Sequence, residues 1–172
     1  MKAIIRDILL ALVLALAISL LIRPTIVKEI SMMPTLAENN YLMISKQAYR
    51  FGDVARDDII VFHSSLVDEK GKEKLLIKRV IGLPGDILSI TGGKVYRNGF
   101  VIQEPYIMGG VDGETSGELL NYVVPDKFVF VMGDNREVSL DSRSQEVGPV
   151  RISDIIGEAF FRLYPFNQIG GV

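Results

Sequence analysis

A chain of 172 residues has the length of one domain of ordinary size, enough to bury a sizeable core. Its formal net charge of −2 offers no electrostatic footprint for nucleic acid. The absence of cysteine excludes disulfides, thiolate metal sites and a thiol nucleophile, and the single histidine, His63, excludes a multi-histidine metal site.

The first element is apolar. Ile8 to Ile22 carries no charge and would span roughly 22 Å as a helix, against a bilayer core of about 30 Å. Arg6 can snorkel toward headgroups, and Arg23-Pro24 should end the helix. A cleaved signal peptide would need a small-x-small tripeptide after the run. Ala15-Leu16-Ala17 has that form but lies inside the run, and no such tripeptide follows it. A soluble core helix would show a polar face, and none is visible. The reading is a membrane anchor over residues 1–24, followed by a β domain over 25–172. Lys2 and Arg6 precede the run and Arg23 and Lys28 follow it, so charge alone leaves its orientation open.

Beyond Thr25–Ile30, which reads as extended, the pattern becomes short and alternating. The expected strands are Tyr41–Ser45, Asp58–His63, Leu75–Ile81, Ile87–Thr91, Lys94–Arg97, Phe100–Gln103, Tyr122–Val124 and Lys127–Met132. All are rich in Val, Ile, Tyr and Phe, with Gly, Pro, Asn and Asp between them. Asn98-Gly99 is a strong hairpin signal, and Pro84-Gly85 suits a type II turn. Met108 to Gly117 is glycine-rich and polar, which predicts a mobile surface loop near residues 107–118. Ile152–Phe161 reads equally as helix or strand. The fold class expected is mainly β, an antiparallel sheet domain behind one N-terminal transmembrane helix.

Three stretches carry chemistry-bearing residues. In Glu29-Ile-Ser-Met-Met-Pro-Thr-Leu36, Ser31 sits at a corner that Pro34 stiffens; alone it reads as a turn serine. In Leu75-Leu-Ile-Lys-Arg-Val-Ile81, Lys78 shares a strand face with Leu76 and Val80. If that face points inward, desolvation lowers the amine pKa and makes it a competent general base. If it lies at an edge, Lys78 and Arg79 simply reach for water. In Gly133-Asp-Asn-Arg-Glu-Val-Ser-Leu-Asp-Ser-Arg143, turn chemistry is followed by Ser139, Asp141, Ser142 and Arg143, dense in hydrogen-bonding groups.

An apolar anchor, then S-M-M-P-T-L, K-R-V-I-G-L-P-G-D and G-D-N-R-x-x-S-x-D-S-R, in that order, resembles the type I signal peptidases of bacteria. The resemblance covers nearly the whole chain, from the anchor to about residue 162. It implies a membrane-bound serine endopeptidase that removes signal peptides from exported pre-proteins. Ser31 matches the family nucleophile and Lys78 its general base. Ser139 matches a serine that orients the lysine, and Asp141 and Arg143 match residues that hold the site together. Asp57-Asp58-Ile59-Ile60-Val61 resembles a structural strand in which Gly-Asp-Ile-Val is more usual. The Ser31 N–H would donate to the oxyanion.

One position departs from the pattern. The family usually has Gly or Ser two residues before the nucleophile, where it contributes to the oxyanion hole, and here stands Glu29. A carboxylate there would oppose a developing oxyanion and would raise the Lys78 pKa if close. Glu29 therefore leaves open a weakly active or inactive relative that binds exported chains.

The implied partners are signal peptides, membrane lipid and the protein export machinery, with no cofactor or metal. The implied location is the cell membrane, single-pass, with the catalytic domain outside the cytoplasm. Self-cleaving repressors of the SOS type share a Ser-Lys β fold, but no basic helix-turn-helix is visible here. His63, outside any G-x-S-x-G elbow, reads as a surface residue near a turn.

Overall fold

The computed structural model describes residues 2–110 and 113–172, so part of the expected loop near 107–118 lies outside the described residues. Helix α1 (Lys2–Leu21) has 20 residues, a length of about 30 Å. Within it Ile4–Leu21 has a mean hydropathy of 2.5 and none of its described residues is buried. Leu9, Leu12, Val13 and Leu16 are all exposed. A helix apolar on every side and unpacked against any core fits a bilayer and not a soluble interior. Arg6 and Asp7 pair with each other at 3.0 Å near its start. Its last turn is capped by Lys46, whose backbone N–H donates to Leu21 and whose ammonium donates to the Ser19 carbonyl at 3.0 Å.

The chain then turns extended. Strand β1 (Ile22–Ile26) pairs antiparallel with β2 (Tyr41–Ser45), Pro24 facing Met43. Proline lacks the ladder donor, and β1 lies at the sheet edge, where that loss is tolerated. A short helix α2 (Ala48–Phe51) precedes the long hairpin of β3 (Ile59–Val67) and β4 (Glu73–Gly82). Asp57 stands where Gly is the more usual residue, and its φ is 71°, a conformation that favours Gly but that Asp tolerates. His63 lies within β3 rather than at its end, because the hairpin extends to Val67.

A second sheet follows: β5 (Ile87–Thr91), β6 (Lys94–Arg97), β7 (Phe100–Val101) and β8 (Leu119–Val123), ordered β7-β6-β5-β8. Asn98 and Gly99 both have positive φ, 55° and 83°, as a type I′ hairpin turn requires. Gly85 has φ of 83° and Asp86 N–H donates to Leu83 at 3.0 Å, the type II turn expected at Pro84-Gly85. Strand β8 starts at Leu119 rather than Tyr122 because Leu119 pairs with Ile90 of β5, and the register shifts around Asn121, whose φ is positive and whose N–H donates to Ser89 Oγ.

The chain returns to the first sheet with β9 (Phe128–Met132), β10 (Val150–Arg151), β11 (Ile155–Tyr164) and β12 (Gly170–Gly171). The order is β1-β2-β11-β3-β4-β9-β10, with β12 beside β11, and every pair is antiparallel. The ambiguous segment 152–161 resolves into a 3₁₀ turn over Ile152–Asp154 and then β11, which is paired on both sides. Tertiary pairing, absent from the local pattern, decides it.

Strand β9 explains how the layers join. Val129 and Val131 enter one buried cluster with Ile60, Phe62 and Val80, while Phe130 and Met132 enter another with Leu88, Ile90 and Val95 of the second sheet. A strand buried on both faces reads as a continuous apolar run, and Phe128–Met132 does. Each fully buried side chain of this size stabilises the fold by about 1.5–3 kcal/mol.

Candidate active site

Ser31 sits where the chain from β1 tightens into a turn. Met33 N–H donates to the Ile30 carbonyl at 3.1 Å, and Leu36 N–H to the Met32 carbonyl at 2.7 Å. Met32 and Leu36 are buried in a cluster with Val27, Leu42 and Ile59, and they anchor the turn against the sheet. The corner turns Ser31 inward, leaving it 7% exposed.

Lys78 comes from the middle of β4, opposite Ile60 of β3. Leu76 and Val80 on either side of it belong to a buried cluster, and Lys78 itself is 1% exposed. Its Nζ lies 2.6 Å from Ser31 Oγ. Burial pushes the amine below its ordinary value. The carboxylates of Asp141, Glu29 and Asp134 oppose that shift, and the guanidinium of Arg143 assists it. Once neutral, the amine offers a lone pair to the Ser31 hydroxyl, which can donate its proton.

The third motif braces this pair. Asp141 is fully buried and accepts from the Gly133 N–H at 3.0 Å, from Arg143 Nε at 2.8 Å and from Arg143 Nη2 at 2.9 Å. Burial alone would raise its pKa. The Arg143 guanidinium outweighs burial, with help from the Gly133 N–H and the Ser139 hydroxyl, and Asp141 stays ionised below the usual carboxylate range. Arg143 also donates to the carbonyls of Ser116, Arg136 and Ser139, tying the motif to the far end of the glycine-rich stretch.

Ser139 is brought to the same place but not onto the lysine. Its Oγ is buried beside Asp141 and makes no well-formed hydrogen bond among the described residues. The position of Gly133 explains the tight fit. A Cβ added there would meet Ser139 Oγ at 2.3 Å and the Ser31 carbonyl oxygen at 2.4 Å. Only glycine allows the motif to lie against the nucleophile segment.

Two further buried ion pairs escaped the sequence reading. Arg79, next to Lys78, donates to Asp134 through Nη2 at 2.7 Å and to the Asp57 carbonyl at 2.9 Å, with its guanidinium 4.0 Å from the Tyr106 ring centre. Arg136 is buried against Glu104 and Thr115 and donates to the Gly133 carbonyl at 3.0 Å. The clue for Arg79 was its place in the apolar run of β4. Nothing local could identify Glu104, which lies 32 positions from Arg136.

Ser31 opens into a groove of about 640 Å³ whose walls include Glu29, Met32, Val61, Leu75 and Ile77. Glu29 is exposed, and its charge reaches Lys78, in the direction expected for a nearby carboxylate. His63 also lines the groove, but its Nδ1 faces Glu73 at 3.3 Å and its ring is half-exposed.

The family model for signal peptidase, peptidase S26, matches residues 1–164. The chain belongs to the signal peptidase family. It is 40% identical over 153 residues to a signal peptidase I from Bacillus caldolyticus, covering 83% of this chain and 80% of the relative. It is 39% identical over 167 residues to a probable signal peptidase I-1 from Synechocystis, covering 92% and 82%. A crystal structure of a signal peptidase I from Enterococcus faecalis matches with a TM-score of 0.51 at 28% identity, covering 62% of this chain and 96% of that one. Family membership agrees with the mainly antiparallel β fold behind an apolar helix that the motifs implied.

Proposed function

We infer that this chain is a serine endopeptidase that removes signal peptides from pre-proteins, with Ser31 as nucleophile and Lys78 as general base. The observation that carries this reading is the 2.6 Å contact between a buried amine of depressed pKa and a hydroxyl at a groove. Neutral Lys78 takes the Ser31 proton as Oγ attacks the scissile carbonyl. The Ser31–carbonyl bond forms and a tetrahedral oxyanion develops near the Ser31 N–H. Lys78 then gives its proton to the departing amine, leaving an acyl-enzyme. It next deprotonates a water that attacks this ester, and the Ser31 hydroxyl is regenerated. Asp141 and Arg143 hold the third motif in place, and Ser139 completes the wall beside Gly133.

The groove suits an extended peptide, which would gain main-chain hydrogen bonds beside a strand, and family membership implies small side chains before the cut. Helix α1 lies in membrane lipid with the β domain on the extracytoplasmic face, and it fixes Ser31 near the depth at which signal peptides emerge from the export machinery. Intact Ser31 and Lys78 geometry favours activity over the binding-only alternative raised by Glu29. Detergent-solubilised full-length protein should cut a pre-protein between its signal peptide and mature region. Cutting by the wild type no faster than by Ser31→Ala would refute the reading.

A further inference from the structure

We propose that Asn135 is a positioning residue that aims the Ser31 N–H at the oxyanion by holding the other end of the same peptide plane. The proposal rests on Ser31 being the nucleophile. Asn135 is largely buried and grips the nucleophile segment at two points. Its backbone N–H donates to the Ser31 carbonyl at 3.0 Å, and its side-chain Nδ2 donates to the Ile30 carbonyl at 3.3 Å. The Ile30 carbonyl also accepts from Met33 N–H at 3.1 Å, so both of its lone pairs are engaged.

The consequence follows from amide geometry. The Ile30–Ser31 peptide is trans, since the only cis bonds among the described residues precede Pro34 and Pro165. In a trans peptide the C=O and N–H point in opposite directions within one rigid plane. Fixing the Ile30 carbonyl toward Asn135 and Met33 therefore fixes the Ser31 N–H away from the third motif. That N–H has no acceptor among the described residues, so it is free to donate to a bound carbonyl. Two donors on the carbonyl also polarise the amide and strengthen its N–H as a donor. The second grip, on the Ser31 carbonyl, holds the adjoining Ser31–Met32 peptide plane, so the segment is fixed on both sides of the Ser31 Cα. This role becomes more important where Glu29 replaces the usual second contributor to the oxyanion site.

The proposal separates Asn135 from the base. Among the described residues it makes no hydrogen bond to Lys78 or to Ser31 Oγ, so its loss should reduce oxyanion stabilisation and leave the proton transfer unchanged. The experiment compares full-length wild type, Asn135→Ala and Asn135→Leu in detergent on a signal-peptide substrate. Asn135→Leu keeps the approximate shape, the neutrality and the backbone N–H but loses the side-chain donor. The expected result is a fall in kcat of roughly 10- to 100-fold, as slight misplacement of a reacting geometry produces. KM should stay within about two-fold, and the pH of the ascending limb set by Lys78 should not move. Affinity for a peptide boronic acid, a mimic of the tetrahedral adduct, should weaken by about the same factor as kcat. Folded variants with wild-type kcat, or a shifted limb accompanying the loss, would overturn the proposal. If the alanine variant does not fold, the leucine variant carries the same comparison. A wild type that fails to cut refutes the peptidase reading itself, whereas a wild type and variants that cut equally well refute only the role of Asn135.

Discussion

The amine of Lys78 and the hydroxyl of Ser31 lie 2.6 Å apart across 47 positions of sequence, one from the centre of a buried strand and one from a turn held by Met32 and Leu36. The pair depends on two independent anchors, so either residue can be removed without dismantling the other's support. Ser31→Ala and Lys78→Ala should each fold and each lose at least about a thousand-fold in kcat. The double variant should be little worse than either single one, because the two act as a unit. Steady-state rates on one pre-protein substrate check both statements.

Burying Lys78 costs stability. Its folded pKa is depressed while the unfolded chain keeps the ordinary lysine value of about 10.4, so the unfolded state holds the proton more strongly. The cost is fully present below the depressed folded pKa and disappears as pH rises from there toward about 10.4. Lys78→Met should therefore raise stability by about 0.5–2 kcal/mol near neutral pH while abolishing cleavage. Denaturant unfolding as a function of pH should show the gap shrinking in alkaline solution.

Asp141 behaves in the opposite sense. Arg143 and the Gly133 N–H hold its pKa below the unfolded value despite burial, so its contribution is present above about 3.9 and is lost as pH falls through the depressed value. Asp141→Asn leaves the Arg143 guanidinium without its charge partner and should cost about 3–5 kcal/mol at neutral pH, the range for breaking a buried pair. Acid unfolding curves of the two proteins should converge as the wild-type carboxyl takes up its proton.

Glu29 offers a simple electrostatic test. Its exposed carboxylate raises the Lys78 pKa, second to Asp141 among the charges that do so. Glu29→Ser should move the ascending limb of the pH–rate profile to lower pH and increase the rate at neutral pH. Glu29→Asp should leave the limb near its wild-type position. High salt should reduce the difference between serine and glutamate, because the carboxylate is screened by solvent.

Gly133 permits close approach and has no catalytic group to offer. Gly133→Ala would bring a methyl into the Ser139 side chain and the Ser31 carbonyl, at 2.3 and 2.4 Å before any relaxation. A loss of about 1–3 kcal/mol is expected, together with a fall in kcat as the turn shifts. Thermal unfolding and turnover measured on the same preparation would show both.

Much of this was legible in the sequence for physical reasons. The type I′ hairpin at Asn98-Gly99 and the type II turn at Pro84-Gly85 follow from residues that tolerate positive φ. Lys78 stood out because a cation between Leu76 and Val80 is either buried or at an edge, and the pairing of β4 on both sides decides for burial. What was not legible depended on distant pairing. Strand β11 shows no local signal that separates it from helix, and it becomes a strand because β2 and β3 flank it. Glu104 has no motif of its own, and its partner Arg136 belongs to another sheet connection. Ser139 matches a serine that orients the lysine, and its Oγ lies beside Asp141 and against Gly133, a side-chain placement that no sequence pattern encodes.

The most direct test of the account is the titration of the Lys78 amine, followed by ¹⁵N NMR of Nζ in the full-length protein with Ser31→Ala beside it. The account predicts deprotonation well below the usual lysine value of about 10.4, matching the ascending limb of the pH–rate profile. An amine that remains charged up to that value, in a folded protein that still cleaves its substrate, would contradict Lys78 as the base.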